Sequence, residues 1–241
     1  MASIVRNIAA TTIEFDLHRY GRTKMSLKLY LHPFSSYCQK AITAFYEKDI
    51  GFEARMLDGT EPIASEFAAL WPFGKFPVLT GNGKLVFEAT GIIEYLEAAY
   101  PHSRRLIPSD PVASANVRMW DRFFDNYINY PQQRLVYIAL GREHDDGGHR
   151  WQSALTTAYA FLDRHMDGRK WVSGDEFSLA DCAAAPSLLY ADWTYAIAEE
   201  FTNVWAYRKR LLARPSYARA LDEARPFRHL FPLGAPEEGR D

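Results

Sequence analysis

A proline between apolar β-formers, Phe76-Pro77-Val78-Leu79, is followed nine residues later by Glu88-Ala89-Thr90 at the start of a helical pattern. Proline has no N–H to give to a β-ladder, so a strand tolerates it only at special positions. A cis peptide opening an edge strand is one such position, and it leaves the backbone N–H and C=O of Phe76 free for a ligand. The Glu88 carboxylate sits beside the unsatisfied N–H groups of a helix start. It can hold an ammonium group there while the N–H groups take a carboxylate. Together the two stretches suit a zwitterionic peptide. The plainer reading is a proline-bearing edge strand and an acidic first turn.

The surrounding elements must position these residues. A strand at Lys28-Leu29-Tyr30-Leu31 leads into a helix marked by Cys38, Ile42, Phe45 and Tyr46, which stops near Gly51. Residues 52–57 alternate weakly as a second strand, and a short helix starts around Pro62 with Phe67 and Leu70 inward. Pro77-Val78-Leu79 and Leu85-Val86-Phe87 flank Gly81-Asn82-Gly83 and predict a hairpin. Ile92, Tyr95, Leu96 and Ala99 give the next helix its inner stripe. The order over residues 27–100 is β-α-β-α-β-β-α, with helices long enough to serve as crossovers. Residues 105–110 read as a linker. Beyond it the pattern is all helix: Val112, Ala115, Met119 and Phe123 recur at helical spacing, as do Trp151, Leu155, Tyr159, Leu162 and Met166. Ser178-Leu179-Ala180-Asp181 is a capping signal ahead of a small-residue helix that Pro186 should bend. The expected divisions are an extension at 1–24, an α/β domain at 25–104, the linker, a helical domain at 111–231 and a loose tail at 232–241.

The 241 residues carry a net charge of −2, so no global electrostatic case exists for nucleic acid or an anionic membrane. No apolar run reaches the roughly 18 residues of a membrane helix. Two distant cysteines, Cys38 and Cys182, form neither a disulfide framework nor a zinc motif, and no metal is expected. The first residues do not read as a signal peptide. The expected setting is reducing and cytoplasmic.

Four stretches in order resemble the soluble glutathione transferases, of a serine type and bacterial in character, subclass open. They are the strand and loop running into His32-Pro33-Phe34-Ser35-Ser36-Tyr37-Cys38, the segment Pro72 to Leu79, the helix start Glu88 to Leu96, and Ser178-Leu179-Ala180-Asp181. The likeness covers roughly residues 27–230. It implies a thioredoxin-like domain with a mixed four-stranded sheet, followed by an all-α domain, working as a homodimer. It also implies glutathione as co-substrate and a hydrophobic small-molecule electrophile as partner. A fold of this kind also serves non-enzymes.

The chemistry implied is activation of a thiol brought by the ligand. Such a thiol, of pKa ~8.5, is mostly protonated at neutral pH. A hydroxyl donor and a helix N-terminus stabilise its thiolate. The resemblance gives that role to Ser35, with Ser36 as second candidate, while N-capping is the ordinary duty of a serine there. Cys38 lies three residues after Ser35, where a cysteine pair would bring reductase chemistry; without the first cysteine it reads as a buried helix residue. Phe76 and Pro77 would meet the cysteinyl part of glutathione, Lys75 its glycyl carboxylate, and Glu88, Ala89 and Thr90 its γ-glutamyl end. The family usually has Ser or Thr where this chain has Ala89. The missing hydrogen bond to a charged group is worth about 1.5–3 kcal/mol, which predicts binding about ten-fold or more weaker than with serine. His32, Phe34, Trp120, Phe124 and Tyr127 are expected to line the electrophile's cleft. The readings in play are a transferase, a glutathione-dependent lyase, dehalogenase or isomerase on the same site, and a non-catalytic binding or scaffold protein.

Overall fold

The computed structural model describes residues 27–143 and 147–236; the expectations for residues 1–24 and 237–241 lie outside them. The first half runs β1 (Lys28–Leu31), α1 (Ser36–Glu47), β2 (Glu53–Met56), α2 (Ile63–Leu70), β3 (Val78–Gly81), β4 (Lys84–Phe87) and α3 (Ala89–Ala99). The order matches the pattern read from the sequence. The sheet is mixed, ordered β2-β1-β3-β4, with β1 parallel to β2 and antiparallel to β3, and β3 antiparallel to β4.

Phe76-Pro77 is a cis peptide, as expected, but β3 is an interior strand and not an edge. The ladder tolerates the proline because the first paired residue is Val78, one position later. The hairpin turns through Asn82 and Gly83, both at positive φ (54° and 70°), between the closing pair Gly81 and Lys84. Asn-Gly adopts that turn at low cost, and its twist matches the flanking strands.

The second half is helical: α4 (Pro111–Phe123), a π-helical turn (Phe124–Asn129), α5 (Tyr130–Ala139), α6 (His149–His165), α7 (Leu179–Thr194), α8 (Thr202–Leu212), α9 (Pro215–Ala224) and a 3-10 segment (Arg225–Leu230). The π turn falls just before Pro131, which has no N–H to continue the i→i−4 ladder. The capping box at α7 forms as read. Asp181 accepts from the Ser178 N–H and hydroxyl, both at 2.9 Å, and also from the Val172 N–H and the Tyr207 hydroxyl. α7 is buried over nearly its whole length and packs against α1, α4 and the π turn, joining the two halves in one apolar core.

α4 departs from expectation in its orientation. Val112 and Met119, two members of the apolar series read from the sequence, are 78% and 57% exposed. The buried face instead carries Ser114, Val117, Trp120 and Asp121, continued by Phe124. The helix bears two apolar stripes, and spacing alone does not rank them. Among the described residues no helix is long and apolar enough to cross a membrane.

Candidate active site

Strand register brings the chemistry to one end of the sheet. Tyr30 pairs with Val78, and Val78 with Phe87. The loop after β1, the cis-Pro77 before β3 and Glu88 after β4 therefore share that end. Neighbouring strands lie about 4.8 Å apart, so the span from the first to the last is roughly 10 Å, within reach of an extended tripeptide. α1 and α3 both start there, which adds two sets of unsatisfied N–H groups and two positive helix ends.

Ser35 is the N-cap of α1, in extended conformation, and its Oγ accepts from the Cys38 N–H at 3.4 Å. Acceptance uses only a lone pair, so the hydroxyl proton can turn to a sulfur, either that of the buried Cys38 or that of a ligand. The capping and thiol-activating readings of Ser35 are thus compatible. Ser36 is the first helical residue and half-buried. Cys38 is fully buried, and burial pushes its thiol up to about 12 despite hydrogen bonds from the His32 backbone and the Ser35 hydroxyl. It stays protonated at neutral pH and has no access to a ligand. Tyr30 packs in the sheet, its hydroxyl donating to Glu66 at 2.5 Å.

The loop holding Ser35 is braced from both sides. His32 Nδ1 accepts from the Phe34 N–H at 3.2 Å. Burial lowers the pKa of this histidine, opposed by Asp58, so the ring is neutral in that role. Buried Gln39 donates to the Pro33 carbonyl at 3.1 Å, and Tyr190 of α7 donates to the Phe34 carbonyl at 3.0 Å.

Phe76 makes no backbone hydrogen bond among the described residues, which fits the expected open position before the cis bond. Lys75 is exposed. Glu88 holds φ at 64°, a conformation non-glycine residues adopt rarely, and its carboxylate is exposed with no hydrogen bond or ion pair among the described residues. Ala89 is buried.

Thr90 has a different neighbourhood from the one expected. Lys40, buried on α1, donates to its hydroxyl at 2.9 Å, and that hydroxyl donates to Asp121 at 2.9 Å. Lys40 also pairs with Asp121 at 2.6 Å and Asp125 at 2.9 Å, while Arg122 bonds to both Thr90 and Asp121. This cluster ties α1, α3 and α4 together. The sequence reading missed it. The available signals were Lys40 in the middle of the first helix and aspartates one turn apart at 121 and 125.

The expected electrophile wall is corrected in two places. Trp120 and Phe124 are core residues; Trp120 packs between Phe161 and His165, and Phe124 is fully buried. Tyr127 is 62% exposed and stacks on Phe123. The part-exposed aromatic rings beside Ser35 are Phe34, which packs on the buried rings of Tyr190, Trp193 and Phe231, and Phe227, which packs against His32. α7 and the C-terminal segment supply the buried rings on which Phe34 rests.

A thioredoxin-like sheet domain with cis-proline, joined to a helical domain, defines the class of protein. Within that class the sequence itself is decisive. The profile for the glutathione S-transferase N-terminal domain matches residues 29–104, and that for the C-terminal domain matches residues 145–210. The chain belongs to the glutathione S-transferase family, a family of transferases. It is 37% identical over 139 residues to the glutathione S-transferase-like protein LUC7 of Fusarium sp., covering 56% of this chain and 62% of that protein. It is 29% identical over 191 residues to glutathione S-transferase U25 of Arabidopsis thaliana, covering 75% and 82%. A glutathione S-transferase structure from Rhodospirillum rubrum F11 superposes with a TM-score of 0.73 at 25% identity, covering 89% of this chain and 98% of that one.

Proposed function

We propose that the protein binds glutathione at this end of the sheet, ionises its thiol against Ser35, and directs the thiolate at a hydrophobic electrophile. One observation carries the reading: the Ser35 hydroxyl, the unpartnered Phe76 backbone before cis-Pro77, and the unpartnered Glu88 carboxylate share one sheet end with two helix N-termini. Glu88 takes the γ-glutamyl ammonium, the Phe76 backbone the cysteinyl amide, and Lys75 the glycyl carboxylate. The rate gain comes from thiolate formation and from holding two reactants together. Phe34 and Phe227, both half-buried, offer the apolar surface on which a flat, aromatic electrophile would rest. The same thiolate chemistry serves glutathione-dependent lyase, dehalogenase or isomerase activity. Buried Ala89, which offers no hydroxyl, favours a second reading as a binding or scaffold protein. Two free, buried cysteines suit a reducing, cytoplasmic setting.

Retention on immobilised glutathione followed by conjugation assays over a panel of aromatic electrophiles tests the reading. Binding with turnover supports the transferase. Binding without turnover on any electrophile supports the scaffold, and failure to bind removes both.

A further inference from the structure

The first turn of α3 lacks a side-chain donor for a ligand carboxylate. Ala89 offers a methyl group. The Thr90 hydroxyl is saturated: it donates to Asp121 and accepts from Lys40 and Arg122, which uses its one proton and both lone pairs. Arg122 of α4 reaches this turn from the helical domain. Its Nε and Nη2 are committed to Asp121, with Nη2 also on Thr90, so the guanidinium is docked in one orientation. Its Nη1 has no hydrogen-bond partner among the described residues, and the side chain is 53% exposed. A charged fork with a free edge thus stands one residue from Ala89, where consecutive Cα atoms are about 3.8 Å apart. Lys40 and Arg122 balance Asp121 and Asp125, leaving Glu88 as the uncompensated charge nearby.

We propose that Arg122 binds the α-carboxylate of the γ-glutamyl group, through Nη1, in place of the hydroxyl that position 89 lacks. The proposal rests on the glutathione reading above and names a further binding residue for the same site. The ligand's ammonium then faces Glu88 while its carboxylate bridges Arg122 and the α3 N–H groups. It also revises the cost of Ala89: with Arg122 in place, restoring a hydroxyl brings less than the ten-fold gain expected from the sequence.

Calorimetric titration with two ligands tests it: glutathione, and 4-aminobutanoyl-cysteinylglycine, which is glutathione without that carboxylate. Arg122→Gln should weaken glutathione about ten-fold or more and leave the analogue within about two-fold. Ala89→Ser should recover most of the loss in the Arg122→Gln background and gain far less in the wild type. Arg122→Lys keeps the charge but not the fork, and gives an intermediate loss if Arg122→Gln does not fold. Equal weakening of both ligands means that Arg122 acts only through the fold and overturns the proposal. So does unchanged glutathione affinity, or the same Ala89→Ser gain in both backgrounds. Wild-type protein that binds neither ligand overturns the glutathione reading itself. Binding of the analogue as tightly as glutathione overturns only the role of Arg122.

Discussion

At the scale of single residues, the site depends on one oxygen with two duties. Ser35 Oγ accepts from the Cys38 N–H and can turn its proton to the ligand. Ser35→Ala removes both. The expected result is a fall in kcat/KM of about 10- to 150-fold, from a lost hydrogen bond to a charged sulfur. The pKa of the bound thiol should return toward its free value, read by ultraviolet titration of the complex. The variant should also be less stable by about 1 kcal/mol through loss of the cap. Ser36→Ala is the control: should it reproduce the kinetic loss while Ser35→Ala does not, the activating hydroxyl is the other one. The caps and the turn were legible in the sequence because they are local. Ser178 with Asp181, and Asn82 with Gly83, do their work within four residues, so type and spacing suffice. The state of Thr90 was not legible. Its partners come from 50, 31 and 32 residues away.

At the scale of elements, two devices hold the helix starts in place. The first is the loop before α1. His32 accepts from Phe34 as a neutral imidazole, and burial keeps its pKa below the ordinary 6.5. A folded pKa below the unfolded one means that the unfolded chain binds the proton first. The stabilisation is therefore present above pH 6.5 and is lost as pH falls below it. Melting temperature should drop on acidification through that range. His32→Asn, which can still accept but does not titrate, should flatten the drop; an unchanged slope would remove His32 from the account. His165, also lowered by burial, contributes in the same direction. The second device is Lys40, set between Asp121 and Asp125. Lys40→Met leaves Asp121 and Asp125 with the half-exposed Arg122 as their one remaining cation among the described residues, at a cost of up to about 3–5 kcal/mol. Urea denaturation should show that loss, with Asp121→Asn recovering part of it in the double variant. Full additivity of the two substitutions would mean that the pair does not couple.

At the scale of the whole molecule, α4 turns an apolar stripe outward. Val112 and Met119 lie on it, and Tyr127 is exposed in the turn that follows. A second copy of the chain, implied by the family resemblance, would cover apolar surface of this kind. The expected outcome in light scattering after gel filtration is a dimeric wild type and a Met119→Glu variant shifted toward monomer; a monomeric wild type would end the idea. The sequence by itself determined the order of elements, the hairpin, the capping box and the cis-proline, because each is written in neighbouring residues; the thiol-activating role of Ser35 came from the family resemblance. Only the tertiary structure decided which stripe of α4 faces inward, that β3 lies inside the sheet, and that Phe34 meets Tyr190 and Phe231 rather than Trp120 and Phe124. It also decided that Thr90 and Arg122 join the ion cluster around buried Lys40 and Asp121. Those outcomes depend on which distant surfaces bury the most area together, and periodicity within one helix carries no information about its partner.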